Sequence, residues 1–201
     1  MKKRFFANQN DWPGLAALRF TLDETTKTVS VFYKNGLVLK ATIDDEQELQ
    51  KMDVFFSSYL KSLTPSAKAG HPNPSPVRWV QGRYPDRETR ALSLLNEASL
   101  ADLSQRMGIS LDIRSFRGNI IVAGLPAWKE LELGGQTIRA GTAECVVEKP
   151  IARCLNINVH PDTGVSEHPT LAFLAKFNQG QFGMMVDVLK DGIVSRGDAI
   201  L

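Results

Sequence analysis

The sequence predicts a mostly β protein with a few helices, of the α+β class, and three observations support this. A hairpin pattern lies near the start of the chain, many short apolar segments follow residue 119, and helical spacing is confined to a few segments. Many short strands with a few attached helices are typical of β-barrels and β-sandwiches. We therefore expect one of these two architectures.

The clearest local pattern is a β-hairpin. Apolar and polar residues alternate over 29–33 and again over 37–41, as in half-buried strands. Between them, Lys34-Asn35-Gly36 carries the Asn-Gly signal of a tight turn, in which both turn residues adopt positive φ. Helical spacing then predicts a helix over residues 45–63, which Pro65 ends.

A segment rich in Pro, Ser and Gly divides the chain. Four prolines, at positions 65, 72, 74 and 76, lie in or at the ends of this segment. Such a composition marks a linker or an irregular surface loop. We therefore predict one β-rich domain over residues 1–64, a linker over 65–76 and a second domain over 77–201.

The second domain is predicted to consist mainly of strands. A short helix begins with Ser99 as its N-cap and is closed by Gly108, and another helix covers residues 169–178. Gly134-Gly135 and Asp191-Gly192 provide turns between some of the strands. The predicted strands cover 119–123, 129–133, 136–139, 143–148, 154–159, 184–189 and 193–201.

Composition excludes several classes of function. The net charge of +2 is too small to indicate a nucleic-acid partner, and no stretch approaches the ~20 apolar residues that span a membrane. Polar residues directly after Phe6 and Ala7 leave no apolar core for a signal peptide, so we expect a cytoplasmic protein. Two cysteines and three dispersed histidines provide no zinc-ligand spacing. Metal held by an organic cofactor and one protein ligand stays possible.

Cys154 is the first candidate for chemistry. It directly follows Arg153 and is predicted to enter a strand, so it has an electropositive setting that favours the thiolate. A thiolate is the form that binds a soft metal ion. The alternative is a small buried core residue, which is the usual role of a free cysteine and our interpretation of Cys145.

The second candidate is the pair Arg117 and Asn119. The two residues lie two positions apart in a segment predicted to be extended, so their side chains would project to the same face. A guanidinium group beside an amide suits a phosphate or the edge of a heterocycle. The alternative is a surface arginine followed by a turn asparagine.

These two segments, in this order, resemble a known family. Phe116-Arg117-Gly118-Asn119 followed by Ile120-Ile121-Val122 is similar to its Phe-Arg-Pro-Asn segment, and Arg153-Cys154 with the later Pro161-Asp162-Thr163-Gly164 is similar to its Arg-Cys strand and Asp-x-x-Thr-Gly turn. Residues 92–100 are similar to the family's segment before its short helix, and Phe182-Gly183 and Gly197-Asp198 are similar to its closing strands. The family is the MOSC domain, found in molybdenum cofactor sulfurases and amidoxime-reducing proteins, and the resemblance covers about residues 77–201.

The resemblance implies a β-barrel-like fold that binds the molybdenum cofactor, a pterin-bound molybdenum. It makes Cys154 the protein ligand of the metal and the catalytic residue. It also implies that the cofactor contacts Arg117, Asn119 and Arg153 and, from a weaker match, Thr89 and Arg90. Pyridoxal phosphate, which the sulfurases bind in another domain, is not expected.

The first 64 residues resemble the latter part of the β-rich domain that precedes MOSC in many proteins. Lys3-Arg4-Phe5 is similar to the Asp-Arg-Phe motif of that domain, so the resemblance implies that Arg4 contacts the cofactor phosphate. The chain departs from the family where Lys3 replaces the Asp of this motif, Gly118 replaces a Pro and Ala152 replaces a polar residue. A Tyr-Pro-x-Lys segment that supplies a cofactor-binding lysine in the family is absent.

Three functions remain open at this point. The first is a molybdenum enzyme that reduces N-hydroxylated or similar N–O compounds with electrons from a partner protein. The second is a carrier that holds the cofactor, or relays sulfur through Cys154, without turnover; the chain contains no ferredoxin cysteine cluster and no dinucleotide-binding motif of its own. The third is a degenerate barrel that acts as a protein-interaction domain.

Overall fold

The computed structural model describes residues 7–65 and 91–200. These residues fall into two compact units, residues 7–65 with 158–168 and residues 91–157 with 169–200. Across these ranges, no helix combines the length and the apolar character needed to cross a bilayer. The predicted linker at 65–76, apart from Pro65, lies outside the described residues.

The first unit contains a three-stranded antiparallel sheet in the order β1-β2-β3. Its strands are β1 Leu18–Asp23, β2 Thr28–Tyr33 and β3 Gly36–Thr42. The predicted hairpin is confirmed, with a different turn. Lys34 and Asn35 are the residues with positive φ, 48° and 64°, and Gly36 already pairs with Tyr33 at the start of β3.

A single long helix, α1, covers residues Glu46–Ser62 and agrees with the helix predicted over 45–63. Asp45 caps it, because the Asp45 carboxylate accepts hydrogen bonds from the backbone N–H groups of Gln47 and Glu48. Aromatic side chains join helix and sheet: the ring of Phe56 stacks on Phe20 at 6.2 Å between centroids. Helix α1 therefore packs on the sheet through its aromatic side chains.

The second unit is built on a five-stranded sheet in the order β5-β4-β8-β7-β6. Its strands are β4 Leu92–Asn96, β5 Ile120–Val122, β6 Thr137–Ala140, β7 Ala143–Ala152 and β8 Gln181–Lys190. All neighbours are antiparallel except β4 and β5, which run parallel. The predicted fold class, mostly β with a few helices, is confirmed.

Two apolar clusters lie on this sheet, and adjacent residues of β4 divide between them. Leu94 belongs to one cluster together with Val147 and Val186, and Leu95 belongs to the other together with Phe116 and Phe182. Successive side chains of a strand point to opposite faces, so both faces of β4 are covered. The strand β4 is therefore held in place by apolar packing on both of its faces.

Two helices accompany the sheet. Helix α2 covers Glu97–Met107 and ends at Gly108, whose φ of 67° closes it as predicted, but its N-cap is Asn96 rather than Ser99. Asn96 precedes the helix and its side chain accepts from Ala98 N–H, whereas Ser99 lies inside the first turn. Helix α3, Thr170–Asn178, matches the helix predicted over 169–178.

Three predicted strands are wrong. Residues 129–133 and 154–159 contain short 3-10 helices, Lys129–Leu133 and Leu155–Asn158. Residues 193–200 form a loop that touches the sheet through one bridge, between Ile200 and Ala140. The error at 129–133 has a clear cause: apolar and charged residues alternate there as in a strand, but the fully buried side chain is that of Glu130.

Glu130 is the centre of a buried polar network at the start of α2. Its Oε2 accepts hydrogen bonds from Asn96 Nδ2 at 2.9 Å and from Ser99 Oγ at 2.8 Å. Ser99 Oγ in turn accepts from Trp128 N–H at 2.7 Å. Glu130, Asn96 and Ser99 are all fully buried. Buried donors without partners are costly, so this carboxylate fixes the 3-10 helix against α2.

We predict that Glu130→Ala lowers the free energy of unfolding by about 3 kcal/mol, because it leaves the Asn96 amide and the Ser99 hydroxyl short of an acceptor. Glu130→Gln keeps an oxygen that can accept from both donors and should cost less, about 1–2 kcal/mol, because its amide nitrogen takes the place of the buried Oε1, which has no partner among the described residues. Urea unfolding followed by circular dichroism measures both variants. Equal losses for Ala and Gln would show that the network does not hold the 3-10 helix.

Candidate functional site

Arg153 brings the two sequence segments singled out above into contact. It follows β7, and its Nη1 donates to the carbonyl oxygen of Phe116 at 2.7 Å. Phe116 is the residue before Arg117, and Cys154 is the residue after Arg153. The peptide segments that carry Arg117 and Cys154 are therefore neighbours in the second unit.

The guanidinium group of Arg153 is also fixed to the adjacent strand. Its Nε and Nη2 donate to the carbonyl oxygen of Phe182 in β8, at 2.8 and 2.5 Å. It lies 5.8 Å from the ring centroid of Phe116 and 5.9 Å from that of Phe182, within the range of cation–π attraction. Sequence analysis predicts Arg153 as a cofactor contact, and the structure directs at least three of its N–H groups to backbone carbonyls.

Two glycines allow this close packing. A Cβ at position 183, where φ is +73°, would lie 2.5 Å from the carbonyl oxygen of Leu94. A Cβ at position 118 would lie 2.5 Å from the side chain of Leu95, which is fully buried. The absence of a side chain at Gly118 therefore allows the loop to pack directly against Leu95 of β4.

Cys154 presents an exposed thiol at the end of β7. The prediction that Cys154 enters a strand is wrong, because β7 ends at Ala152 and a 3-10 helix begins at Leu155. Its carbonyl oxygen accepts from Ile157 N–H at 3.3 Å, which starts this turn. The turn ends the ladder with β8 and leaves the side chain open to a ligand. The alternative of a buried core cysteine does not hold for Cys154.

Cys145 is the core cysteine, as predicted. Its side chain is 2% exposed and belongs to the apolar cluster of β4, β7 and β8. Burial raises the pKa of the Cys145 thiol, and the nearby Asp187 carboxylate raises that pKa further. Both effects disfavour the thiolate, which is the form that reacts and binds metal.

Arg117 and Asn119 lie in the loop before β5, which Arg153 links to the end of β7, and this loop is not extended, contrary to the prediction. Arg117 ends the 3-10 helix Ile113–Phe116 with a left-handed backbone, φ 52° and ψ 50°. Both residues are exposed. Within the part of the chain that the structure describes, the Arg117 guanidinium group has neither an ion pair nor a hydrogen bond. It is therefore available to an anion.

Asn119 is held by Ser93 of β4. Its Oδ1 accepts from Ser93 N–H at 3.0 Å and from Ser93 Oγ at 2.8 Å. Its backbone N–H donates to the hydroxyl and to the carbonyl oxygen of Ser93. Sequence reasoning missed Ser93, since only the pairing of β4 with the segment before β5 brings these distant residues together.

The remaining predicted contacts, Arg4, Thr89 and Arg90, lie outside the described residues. An open groove of about 730 Å³ runs between α2 and residues 108–113, and none of the predicted site residues lines it. Its walls combine apolar side chains such as Leu100 and Leu111 with Ser104 and Gln105. The exposed thiol lies at the end of β7 and the unpaired Arg117 guanidinium group lies in the loop before β5, which Arg153 joins to it, so we place the candidate site there and not in the groove.

We predict that the two thiols differ strongly in reactivity. In native protein at about pH 8, a disulfide reagent should modify Cys154 rapidly and leave Cys145 intact, because burial protects Cys145 and raises its pKa. Both thiols should react in urea. Release of chromophore, followed by mass mapping, measures this. The Cys154→Ser variant is the control, and rapid native labelling of that variant would contradict the assignment.

Comparison with known proteins identifies the family of this chain. Residues 75–201 match the family model of the MOSC domain. The mitochondrial amidoxime-reducing component 1 of Homo sapiens is 27% identical over 197 residues, covering 83% of this chain and 56% of that protein. The mitochondrial amidoxime reducing component 2 of Bos taurus is 38% identical over 97 residues, covering 46% of this chain and 26% of that protein. The chain thus spans from about a quarter to just over half of these two relatives.

Solved structures with some similarity include the YUAD protein of Bacillus subtilis, at 19% identity and a TM-score of 0.46 over 54% of this chain and 61% of that one. YiiM of Geobacillus stearothermophilus matches at 20% identity and a TM-score of 0.42, over 55% of this chain and 52% of that one. The family model covers well over half of the chain and includes Arg117, Asn119, Arg153 and Cys154. The chain therefore belongs to the MOSC domain family.

Proposed function

We propose that the chain binds the molybdenum cofactor, with Cys154 as the protein ligand of the metal, and acts as a partner-dependent oxidoreductase on N-hydroxylated compounds. The observation that carries this proposal is the exposed Cys154 thiol beside the loop of Arg117 and Asn119, joined to it by Arg153. Membership of the MOSC family supports the choice of cofactor.

The chemistry of the site fits this cofactor. A cysteine thiolate is a suitable ligand for a soft metal, and Cys154 is the exposed thiol. The anionic end of the pterin needs cationic and hydrogen-bonding donors, and Arg117 and Asn119 provide both types. We propose that Arg4, Thr89 and Arg90 add further contacts, as the family resemblance implies.

The cofactor, when bound, would supply the redox chemistry at its metal, while the protein supplies the ligand and the orientation. In the proposed overall reaction, the N-hydroxylated substrate takes up two electrons and two protons. The N–O bond breaks, an N–H bond forms and the oxygen leaves as water. The electrons come from a donor protein, because the sequence contains no cysteine cluster or dinucleotide motif to collect them.

The choice of substrate class is supported by the relatives, which are named as amidoxime-reducing. These relatives are longer than this chain, so both substrate and donor partner are part of the proposal. We also propose the division into a β-rich domain over 1–64, a linker over 65–76 and a MOSC domain over 77–201. A cytoplasmic location stays the prediction of the sequence, whereas the relatives are named mitochondrial.

A second candidate function is a carrier that holds the cofactor, or relays sulfur through Cys154, without turnover. The exposed thiol favours it, since a sulfur carrier needs an accessible cysteine. Purified protein with a chemical reductant and an amidoxime separates the two functions. Turnover supports the enzyme, and retained cofactor without turnover supports the carrier.

We predict that Cys154→Ser lowers the molybdenum content of protein produced in a cofactor-synthesising host by at least about tenfold, because a hydroxyl replaces the soft ligand. The thermal unfolding transition of the cofactor-free protein should stay unchanged, since the side chain is exposed. Elemental analysis and pterin fluorescence measure the result. The matched control, Cys145→Ala, should lose stability and keep its molybdenum.

Equal molybdenum in wild type and Cys154→Ser would refute the ligand assignment. A wild-type protein that contains neither molybdenum nor pterin would refute the cofactor proposal as a whole. That second result would leave the interaction-domain interpretation, in which the barrel binds another protein and no cofactor.

A further inference from the structure

Three acceptor atoms of the loop of residues 116–119 are bonded to the protein. Phe116 O accepts from Arg153 Nη1 at 2.7 Å. Arg117 O accepts from Ser93 Oγ at 3.3 Å, and Asn119 Oδ1 accepts from the same hydroxyl at 2.8 Å. We call residues 116–119 the donor loop, for the groups that this arrangement leaves free.

Ser93 fixes the direction of the Asn119 amide. The side-chain oxygen and nitrogen of an asparagine have nearly the same size, so which atom is which is decided by their hydrogen-bond partners. Here one partner is the backbone N–H of Ser93, which can only donate, and it lies 3.0 Å from Asn119 Oδ1. Oδ1 must therefore face Ser93, and the Nδ2 group, a pure donor, faces away from it.

The side chains of Arg117 and Asn119 leave only donor groups without a partner on the donor loop. Within the described ranges 7–65 and 91–200, no acceptor bonds the Arg117 guanidinium group, the Gly118 N–H or the Asn119 Nδ2. Arg117 and Asn119 are exposed. Two exposed side chains that offer only donors favour a ligand with only acceptors, and an ionised phosphate is such a ligand.

We propose that Ser93 and Arg153 are positioning residues that turn the donor loop into a site for the anionic phosphate end of the cofactor. This inference rests on the proposed function. Neither residue needs to touch the ligand in this role. Arg153 holds the loop in place through its hydrogen bond to Phe116 O, and Ser93 sets the direction of the Asn119 side-chain amide. For Arg153, this indirect role is proposed beside the cofactor contact that the family resemblance implies.

The Ser93 hydroxyl can be tested with a matched pair of variants. Ser93→Thr keeps the hydroxyl, and Ser93→Val has the same shape without it; both β-branched residues suit the strand β4. We expect the Thr variant to retain pterin as the wild type does and the Val variant to retain roughly five- to tenfold less. The ratio of molybdenum to pterin in the remaining holoprotein should stay unchanged.

Arg153→Lys tests whether charge or geometry matters at position 153. A lysine keeps the charge, but one ammonium group cannot reproduce the fork that bonds the Phe116 and Phe182 carbonyls together. We expect pterin retention to fall in this variant as well. Wild-type retention in folded Arg153→Lys protein would overturn the positioning role of Arg153. Ser110→Ala, a change at an exposed serine in the same unit, is the control.

Binding of inorganic phosphate to the 201-residue chain prepared without cofactor, measured by calorimetry, separates this inference from the proposed function. We expect binding on the order of millimolar affinity to wild type and Ser93→Thr, and weaker binding to Ser93→Val. If phosphate binds in this way, but wild-type protein from a cofactor-synthesising host contains neither molybdenum nor pterin, the proposed function is refuted and the anion site is kept. Equal phosphate binding and equal pterin retention in the Thr and Val variants, or no phosphate binding to any of them, would overturn the inference.

Discussion

The candidate site depends on the guanidinium group of Arg153. It bonds the carbonyl oxygens of Phe116 and Phe182 and lies against both of their rings. Two segments distant in sequence, the end of β7 and the loop before β5, are joined in this way. Only arginine has the planar fork of donors for such a task. The metal ligand proposed at Cys154 and the donors proposed for the phosphate thus share one support.

The position of this site follows from the sheet. β7 and β8 are paired, and β4 lies between β8 and β5. The thiol emerges where β7 ends, while the donor loop lies against β4, which is packed on both faces. A rigid sheet thus carries reactive groups on the short segments that leave its strands. Such support limits the movement of the proposed ligand-binding groups, and pre-organised groups bind with a smaller loss of entropy.

Much of this architecture can be predicted from sequence, because local patterns encode it. The hairpin of β2 and β3, the helices α1 and α3 and the core position of Cys145 follow from periodicity, turn residues and composition. The 3-10 helix around Glu130 could not be predicted, because its buried residue is a carboxylate that long-range hydrogen bonds compensate. Long-range hydrogen bonds also explain why Asn96, rather than Ser99, is the N-cap of α2. Ser99 Oγ is bonded to the Glu130 carboxylate and to Trp128 N–H.

The candidate site divides in a similar way. The residue types at 117, 119 and 154 indicate their chemistry in the sequence, and the order of the motifs indicates the family. The orientation of those groups is set by tertiary contacts, which neither residue types nor spacing contain. Ser93 is an ordinary strand serine in the sequence, and Arg153 resembles one more cationic ligand contact. Only the folded chain shows their donors engaged with the backbone and with the Asn119 amide.

A crystal structure of the cofactor-loaded protein, with anomalous diffraction measured at the molybdenum edge, tests the central claim most directly. The account predicts one strong anomalous peak within bonding distance of Cys154 Sγ, with the pterin phosphate on the donors of Arg117 and Asn119. An anomalous peak bound to other residues, with Cys154 left free, would contradict it.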